Sequence, residues 1–422
     1  FEAIFATNKR RQKLMDKRVK NVIIVDDTAD NFGGTAQIAY ITAVVLRDRG
    51  YNVVYFAGCG PIHSRLDGFK VVVANEQPFL ESDNKVAGAL SGLHSKKSYE
   101  RFCALLNQFN PDDTVVHVHS WTHALSSSIF DAIADSGFKV LVTLHEYFLV
   151  CPNGGFYDYK KHRICHLKAC SAKCIRCNCD KRSYVQKLYR VVRIALQNRS
   201  IKRAHPKFCY LSDFTYDIMR GSEFDDGMPC ILPNPISVEG ELSLGVPSEK
   251  NGYLFVGRFD KEKNPELFCR ALTSLGLPGT LCGSGPEFER LRDAYPNLNF
   301  LGWCDKDVLA DQFKSNKALV MTSSWYEASP LVCLEAMFAS GIPSIVPETC
   351  GAIAYIRDGV NGLLFKNGDV SSLCEAISKL EDSNYYEMLC ESTRRLLPSL
   401  QEDRSYETYA NRVSNLYEGL YV

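Results

Sequence analysis

The chain has no uninterrupted apolar run approaching the roughly 18 residues that a membrane-spanning helix needs. It has no charge excess either: 49 lysines and arginines balance 49 aspartates and glutamates, which argues against a dedicated nucleic-acid binder. The first strand-to-helix turn, "DDTADNFGGTAQIAY", lacks the Gly-x-Gly-x-x-Gly pattern of a dinucleotide site, so a dehydrogenase is unexpected. Histidine is absent beyond residue 205, and all nine histidines fall in the first half. The chain begins at Phe1 rather than methionine, which leaves open what preceded it.

What is present is a 422-residue chain with a hydrophobic fraction of 45%, too long for one ordinary core and expected to form two domains. Continuous apolar runs alternate with helical periods. "VKNVIIVDD", "YNVVYFAG", "GFKVVVAN", "DTVVHVHS" and "FKVLVTLHE" mark the first half; "GYLFVGRF", "GTLCGSG", "LNFLGW", "ALVMTSS" and "IPSIVPE" mark the second. Strands apolar on both faces belong to parallel sheets covered by helices. The fold class is therefore α/β, with two doubly wound Rossmann-like domains facing a cleft. The expected boundaries are a basic segment 1–20, a first domain 21–235, a second domain 236–402 and a C-terminal helix 403–422. The junction falls in the Pro-, Gly- and Ser-rich stretch 231–252.

Seventeen cysteines, several inside apolar segments, read as small buried hydrophobes in a reducing compartment. Six of them crowd a Cys-rich insertion at 151–180. Cys165, Cys170, Cys174 and Cys177 have the short gaps of a structural zinc knuckle, with Cys179, Cys151, His162 or His166 as substitutes for one ligand. Free thiols and a redox disulfide are the alternatives. Residues 181–207 carry nine lysines and arginines and no acid. Their apolar positions recur at helical spacing, as in a helix resting on anionic lipid or one packed on the core with a solvated basic face.

The chemistry gathers at strand ends of the second half. Arg258 and Lys263 follow a strand and precede a helix started by Asn264 and Pro265, a pairing that suits a diphosphate without metal. Gly283 and Gly285 make a tight turn that lets backbone N–H groups approach a ligand. In "YEASPLVCLEAM", Ser329 is placed to cap a helix beginning at Pro330. Glu327 then lies in the loop and Glu335 in the helix, with Leu331 near the helix start. In an open α/β sheet all of these fall on the ligand-binding rim.

These segments together resemble the family 4 glycosyltransferases, retaining enzymes of the GT-B fold. The likeness is carried by "GRFDKEKN", "GSGPE", the glutamates with seven residues between them in "EASPLVCLE", and "DGVNGLLF" at 358–365. It is specific over 252 to about 380 and looser over the first domain. The resemblance implies that Arg258 and Lys263 neutralise the diphosphate of a nucleotide-sugar, that Glu327 contacts donor-sugar hydroxyls and that Glu335 holds the ribose. It implies that Gly33 and Gly34 let the backbone approach donor phosphates and acceptor, and that His145 contacts the donor sugar near the breaking bond. His119 is a weaker candidate on the acceptor side. "ASP" replaces the glycine-rich segment that family members often carry after the first glutamate, and "CGAIA" at 350–354 replaces a double glycine and glutamate.

The expected partners are a nucleoside-diphosphate-sugar donor and a glycan or lipid-linked acceptor, with no nucleic acid and no cofactor for transfer beyond a structural zinc. The resemblance to bacterial surface-polysaccharide enzymes places the protein in the cytoplasm, at the inner face of an anionic membrane. A nucleotide-sugar epimerase of the same build and a non-catalytic nucleotide-sugar binder are the rival readings.

Overall fold

The computed structural model describes residues 18–30, 33–236 and 250–421. The basic segment as far as residue 17 and most of the expected junction lie outside these residues.

The first domain carries strands β1 (Asn21–Thr28), β2 (Asn52–Cys59), β3 (Lys70–Val73), β4 (Thr114–Val118) and β5 (Lys139–Leu144), then a two-stranded hairpin β6 (Tyr157–Asp158) and β7 (Arg163–Ile164), then β8 (Lys207–Tyr210) and β9 (Cys230–Ile231). All but the hairpin form one parallel sheet ordered β3-β2-β1-β4-β5-β8-β9. The second domain contributes β10 (Tyr253–Val256), β11 (Gly279–Cys282), β12 (Asn299–Gly302), β13 (Ala318–Val320), β14 (Ser344–Pro347) and β15 (Gly362–Phe365). These form a parallel sheet ordered β12-β11-β10-β13-β14-β15. The central strands are Val/Ile/Leu-rich and buried on both faces, as the apolar runs require. Each sheet separates two buried clusters, one per face.

In both sheets the strand order reverses beside the first strand of the domain, between β1 and β4 and between β10 and β13. A crevice opens at the carboxyl end of strands at such a reversal. The two crevices face each other.

The chain crosses between domains twice among the described residues. The second crossing follows the helix Ser383–Arg404, after which the last helix, Tyr406–Gly419, packs on the first domain. Tyr409, Ala410, Val413 and Tyr417 lie in the same buried cluster as Ile24, Ile38 and Tyr55. The crossings touch, because the Ile236 N–H donates to the Arg404 carbonyl at 3.0 Å.

The helix Tyr184–Ala204 packs by Ile194, Ile201 and Ala204, while Val185 and Val192 are exposed. Much of its expected basic face is engaged within the protein. Arg190 pairs with Asp180, Lys202 with Glu223, Arg203 with Asp131 and Asp135, and Lys181 with Asp260 and Glu262. Acids from neighbouring elements supply what this stretch lacks.

Candidate functional site

A cleft of about 1120 Å³ runs between the two crevices. Gly33, Gly34 and His145 line its first-domain wall, and Arg258, Lys263, Glu327, Ser329, Leu331 and Glu335 its second-domain wall. Gly283 and Gly285 stand outside this lining, behind the loop that bears Arg258. A Cβ on Gly283 would lie 1.9 Å from the Gly257 carbonyl oxygen, and one on Gly285 2.8 Å from the Phe259 backbone. Both have positive φ, at 139° and 153°. Packing against the 257–259 loop by itself requires glycine at both positions.

The helix after β13 starts one residue later than the sequence suggests. It runs Leu331–Ser340, with Pro330 in the capping position and no side-chain cap, so Ser329 does not cap it. Pro330 stays extended (φ −75°, ψ 105°), and its carbonyl accepts from the Tyr355 hydroxyl at 2.6 Å. With no side-chain cap, the first N–H groups of this helix are left to whatever enters the cleft. Such a helix start favours an anion.

Lys263 Nζ donates to Glu327 Oε2 at 2.6 Å. Trp325 Nε1 (2.9 Å) and Ser323 Oγ (3.0 Å) donate to the same oxygen. Burial alone would raise the Glu327 pKa, but Lys263 and these hydrogen bonds outweigh it and hold the carboxyl below its usual range. None of the three donors reaches Oε1, so that oxygen is left to accept from a ligand hydroxyl. Glu335 has no hydrogen-bond or ion-pair partner among the described residues. The protein around it raises its pKa, opposed by Lys306. Arg258 is 60% exposed and pairs with Asp260, with Glu262 at 4.0 Å; Lys181 holds the same two acids from the first domain.

On the opposite wall, His119 Nδ1 lies 3.0 Å from His145 Nε2, and the rings stack with centroids 5.3 Å apart. Burial lowers the His145 pKa to about 3, so the imidazole is neutral at physiological pH. His117 bonds Tyr417 and Thr143 at 2.8 Å each and lies tilted against His119 with centroids 4.3 Å apart, which puts the last helix in contact with this histidine group. Asp27, at the end of β1, accepts from the N–H groups of His123, Ala124 and Leu125 at 2.8–2.9 Å and fixes the adjoining loop. Asp26 is buried beside Ser120 and Tyr55, and burial lifts its pKa to about 7.

Sequence reading missed Trp325 and the histidine pair as a unit. The tryptophan two residues before Glu327 was the available signal for the first. Nothing local signals the second, because β4 and β5 become neighbours only in the sheet.

The four cysteines expected to bind zinc are not brought together as a ligand set. Among the described residues no group of three or more His, Cys, Asp or Glu side chains is placed to hold a metal. Lys187, fully buried, instead donates to Cys174 Sγ at 3.4 Å, and its ammonium faces the sulfurs of Cys179 and Cys151 as well. Asn153 Nδ2 donates to Cys179 Sγ at 3.1 Å. The buried ammonium thus partners one thiol of the expected set, Cys174, and two of its neighbours.

Two neutralising cations and an open helix start on one wall suit a diphosphate, and flanking carboxylates suit sugar hydroxyls. Residues 242–396 match the model of the glycosyl transferases group 1 family. A GDP-mannose-dependent alpha-mannosyltransferase of Corynebacterium glutamicum is 32% identical over 136 residues, 32% of each chain. An Escherichia coli UDP-Gal:alpha-D-GlcNAc-diphosphoundecaprenol alpha-1,3-galactosyltransferase is 24% identical over 189 residues, 39% of this chain and 48% of that protein. An uncharacterized glycosyltransferase of Methanocaldococcus jannaschii is 28% identical over 187 residues, 42% and 47% of the two chains. The matches thus span half or less of these curated relatives. Sucrose-phosphate synthase from Thermosynechococcus elongatus shares the fold over 95% of this chain and 99% of its own, with TM-score 0.68 and 19% identity. Anabaena HepE in complex with UDP does so over 95% and 100%, with TM-score 0.64 and 15% identity.

Proposed function

From residue 242 to residue 396 the chain is a group 1 glycosyl transferase segment within a GT-B fold, and on that premise we propose that it is a retaining glycosyltransferase. It moves a sugar from a nucleoside-diphosphate-sugar to a hydroxyl of a glycan or lipid-linked acceptor. The observation that carries this is the convergence of Arg258, Lys263, Glu327, Glu335 and an uncapped helix start on one cleft wall, opposite His145 and Gly33–Gly34.

In this reading Glu335 takes the two ribose hydroxyls, in charge-assisted bonds worth roughly 1.5–3 kcal/mol each. Arg258, Lys263 and the helix start hold the diphosphate and stabilise the charge that grows on it as the anomeric C–O bond breaks. Glu327 Oε1 accepts from donor-sugar hydroxyls. Neutral His145 sits beside the anomeric centre, its ring orientation fixed by His119. The acceptor oxygen bonds to the anomeric carbon from the face that the diphosphate leaves, and its proton passes to a departing diphosphate oxygen. The protein supplies position and electrostatics, and no divalent metal is required.

HepE is seen in complex with UDP, and the mannosyltransferase named above is GDP-mannose-dependent, which supports a nucleotide-sugar donor here. The galactosyltransferase is named for a lipid-diphosphate acceptor, which supports a lipid-linked acceptor here. No helix among the described residues is long and apolar enough to cross a membrane.

A thermal-shift screen of UDP- and GDP-sugars tests the donor, because a ligand of the native state raises the melting temperature by mass action. Stabilisation by a nucleotide-sugar, followed by sugar transfer to an added acceptor, is the expected result. Release of an isomerised or free sugar without any acceptor would replace transfer with epimerisation.

A further inference from the structure

A second concavity, of about 1250 Å³, opens beside the cleft. One wall is the segment after β5, with Leu149 and Val150; another is the Cys-rich insertion from Cys165 to Cys170; the rest comes from the helix Tyr184–Ala204 and from residues 214–224. Tyr326 lines both this groove and the cleft. Its ring stands 6.3 Å from Phe156 and 6.0 Å from Phe214 on the groove side and 6.5 Å from Tyr147 on the cleft side, so Tyr326 is the aromatic partition between the two cavities. The next residue is Glu327.

The groove's lining is mostly apolar, with Phe156, Ile194, Phe214, Ile218 and Phe224 prominent. Its cationic groups are Lys168 and Arg220. Of the two acids that line it, Glu223 is engaged by Lys202 and Asn198, and Asp217 is exposed. A bare glycan would call for carboxylates and amides along such a surface; apolar walls with a few cations call for an aliphatic chain bearing phosphate.

We propose that this groove seats the aglycone of the acceptor, an aliphatic chain joined through phosphate to the sugar that receives the transfer. The assignment rests on the transfer reading above and adds the insertion to the acceptor site. Tyr326 is where the two ends of the acceptor part: the accepting sugar passes into the cleft toward Glu327, and the chain lies back along Ile194 and Phe224. The insertion is then a specificity element, which gives its thiols, and the buried Lys187 of the next helix, a purpose: they hold together a segment with little apolar material of its own.

Dodecyl phosphate below its micelle concentration is the probe, read by calorimetry on the full chain. It should bind saturably, and hexyl phosphate at least about tenfold more weakly, since each buried methylene adds to affinity. Ala195 lines the groove from an exposed position, so Ala195→Trp fills the groove without disturbing the core. That variant should lose at least about tenfold in dodecyl phosphate affinity, while Ala195→Ser, its melting temperature and nucleotide binding stay as in the parent. Equal affinity for the two chain lengths, or indifference to Ala195→Trp, would overturn the proposal. So would self-association through this face, seen as a dimer that Ala195→Trp disrupts. No saturable dodecyl phosphate binding by protein that binds UDP or GDP defeats the groove alone; failure to bind any nucleotide defeats the transfer reading and the groove's role with it.

Discussion

Lys263 and Glu327, 64 residues apart in sequence, stand 2.6 Å apart at the head of two neighbouring strands, β10 and β13. The cation meant for phosphate and the carboxylate meant for sugar hold each other until a donor arrives. Both side chains are more than four-fifths buried. Lys263→Ala therefore leaves a buried carboxylate without its cation and should cost about 3 kcal/mol in urea unfolding at pH 7. Lys263→Ala with Glu327→Gln should recover part of that loss. A double variant as unstable as the sum of its parts would show that the pair is not coupled.

A buried carboxyl and two buried imidazoles give stability opposite pH dependences. Asp26 has its folded pKa raised from 3.8 to about 7, so the folded state binds the extra proton and stability falls as pH rises through that window. His117 and His145 are lowered from 6.5 to about 3, so the unfolded state binds more protons between those values and stability falls as pH drops through them. Asp26→Asn should abolish most of the decline between pH 4 and 7 attributable to this carboxyl, and unfolding midpoints measured across that range check it. An unchanged slope would mean that Asp26 is ionised in the fold.

Gly283→Ala should destabilise by about 2 kcal/mol or more, because the new methyl meets the Gly257 carbonyl and the backbone is left at φ 139°. Its effect on donor affinity should be secondary to that loss. Thermal unfolding and nucleotide calorimetry on the same preparation separate the two.

Donor contacts divide along the nucleotide. Arg258→Ala should weaken a nucleoside diphosphate about tenfold or more and leave the nucleoside nearly unaffected. Glu335→Gln should weaken both, since the ribose is common to them. If Arg258→Ala costs the two ligands equally, it is not a diphosphate contact.

Transfer should retain the donor's anomeric configuration and should persist after brief exposure to EDTA. Proton NMR of the product reports the first and a timed assay the second. An inverted product would exclude the same-face mechanism.

The fold was legible because parallel strands announce themselves as apolar runs. "NVIIVDDT" and "YLFV" needed no context to be read as covered on both faces. The short strands β8 and β9 escaped notice, being four and two residues of mixed character that complete a sheet edge. At the site, Arg258, Lys263, Glu327 and Glu335 were readable because strand ends in one sheet share a rim. The Ser329 cap was not, since a hydroxyl placed before proline says nothing about whether the proline turns helical; Tyr355, 25 residues on, decides that by taking the Pro330 carbonyl. In the cysteine cluster, spacing shows which thiols are near one another, and only the fold shows that Lys187, eight residues or more further along, is buried against Cys174 and Cys179.

The return of the Tyr406–Gly419 helix makes the first domain discontinuous in sequence. Tyr417 closes against His117, Thr42 bonds Tyr409 at 2.8 Å, and Arg18 at the other end of the described chain reaches the carbonyl of Tyr421. A fragment cut at residue 235 would expose the apolar surface that Tyr409, Val413 and Tyr417 cover, and should aggregate or need the helix supplied in trans. Joined by a short linker, Arg18 and Tyr421 would instead yield a circular permutant opened elsewhere, with both domains still hinged where Ile236 meets Arg404.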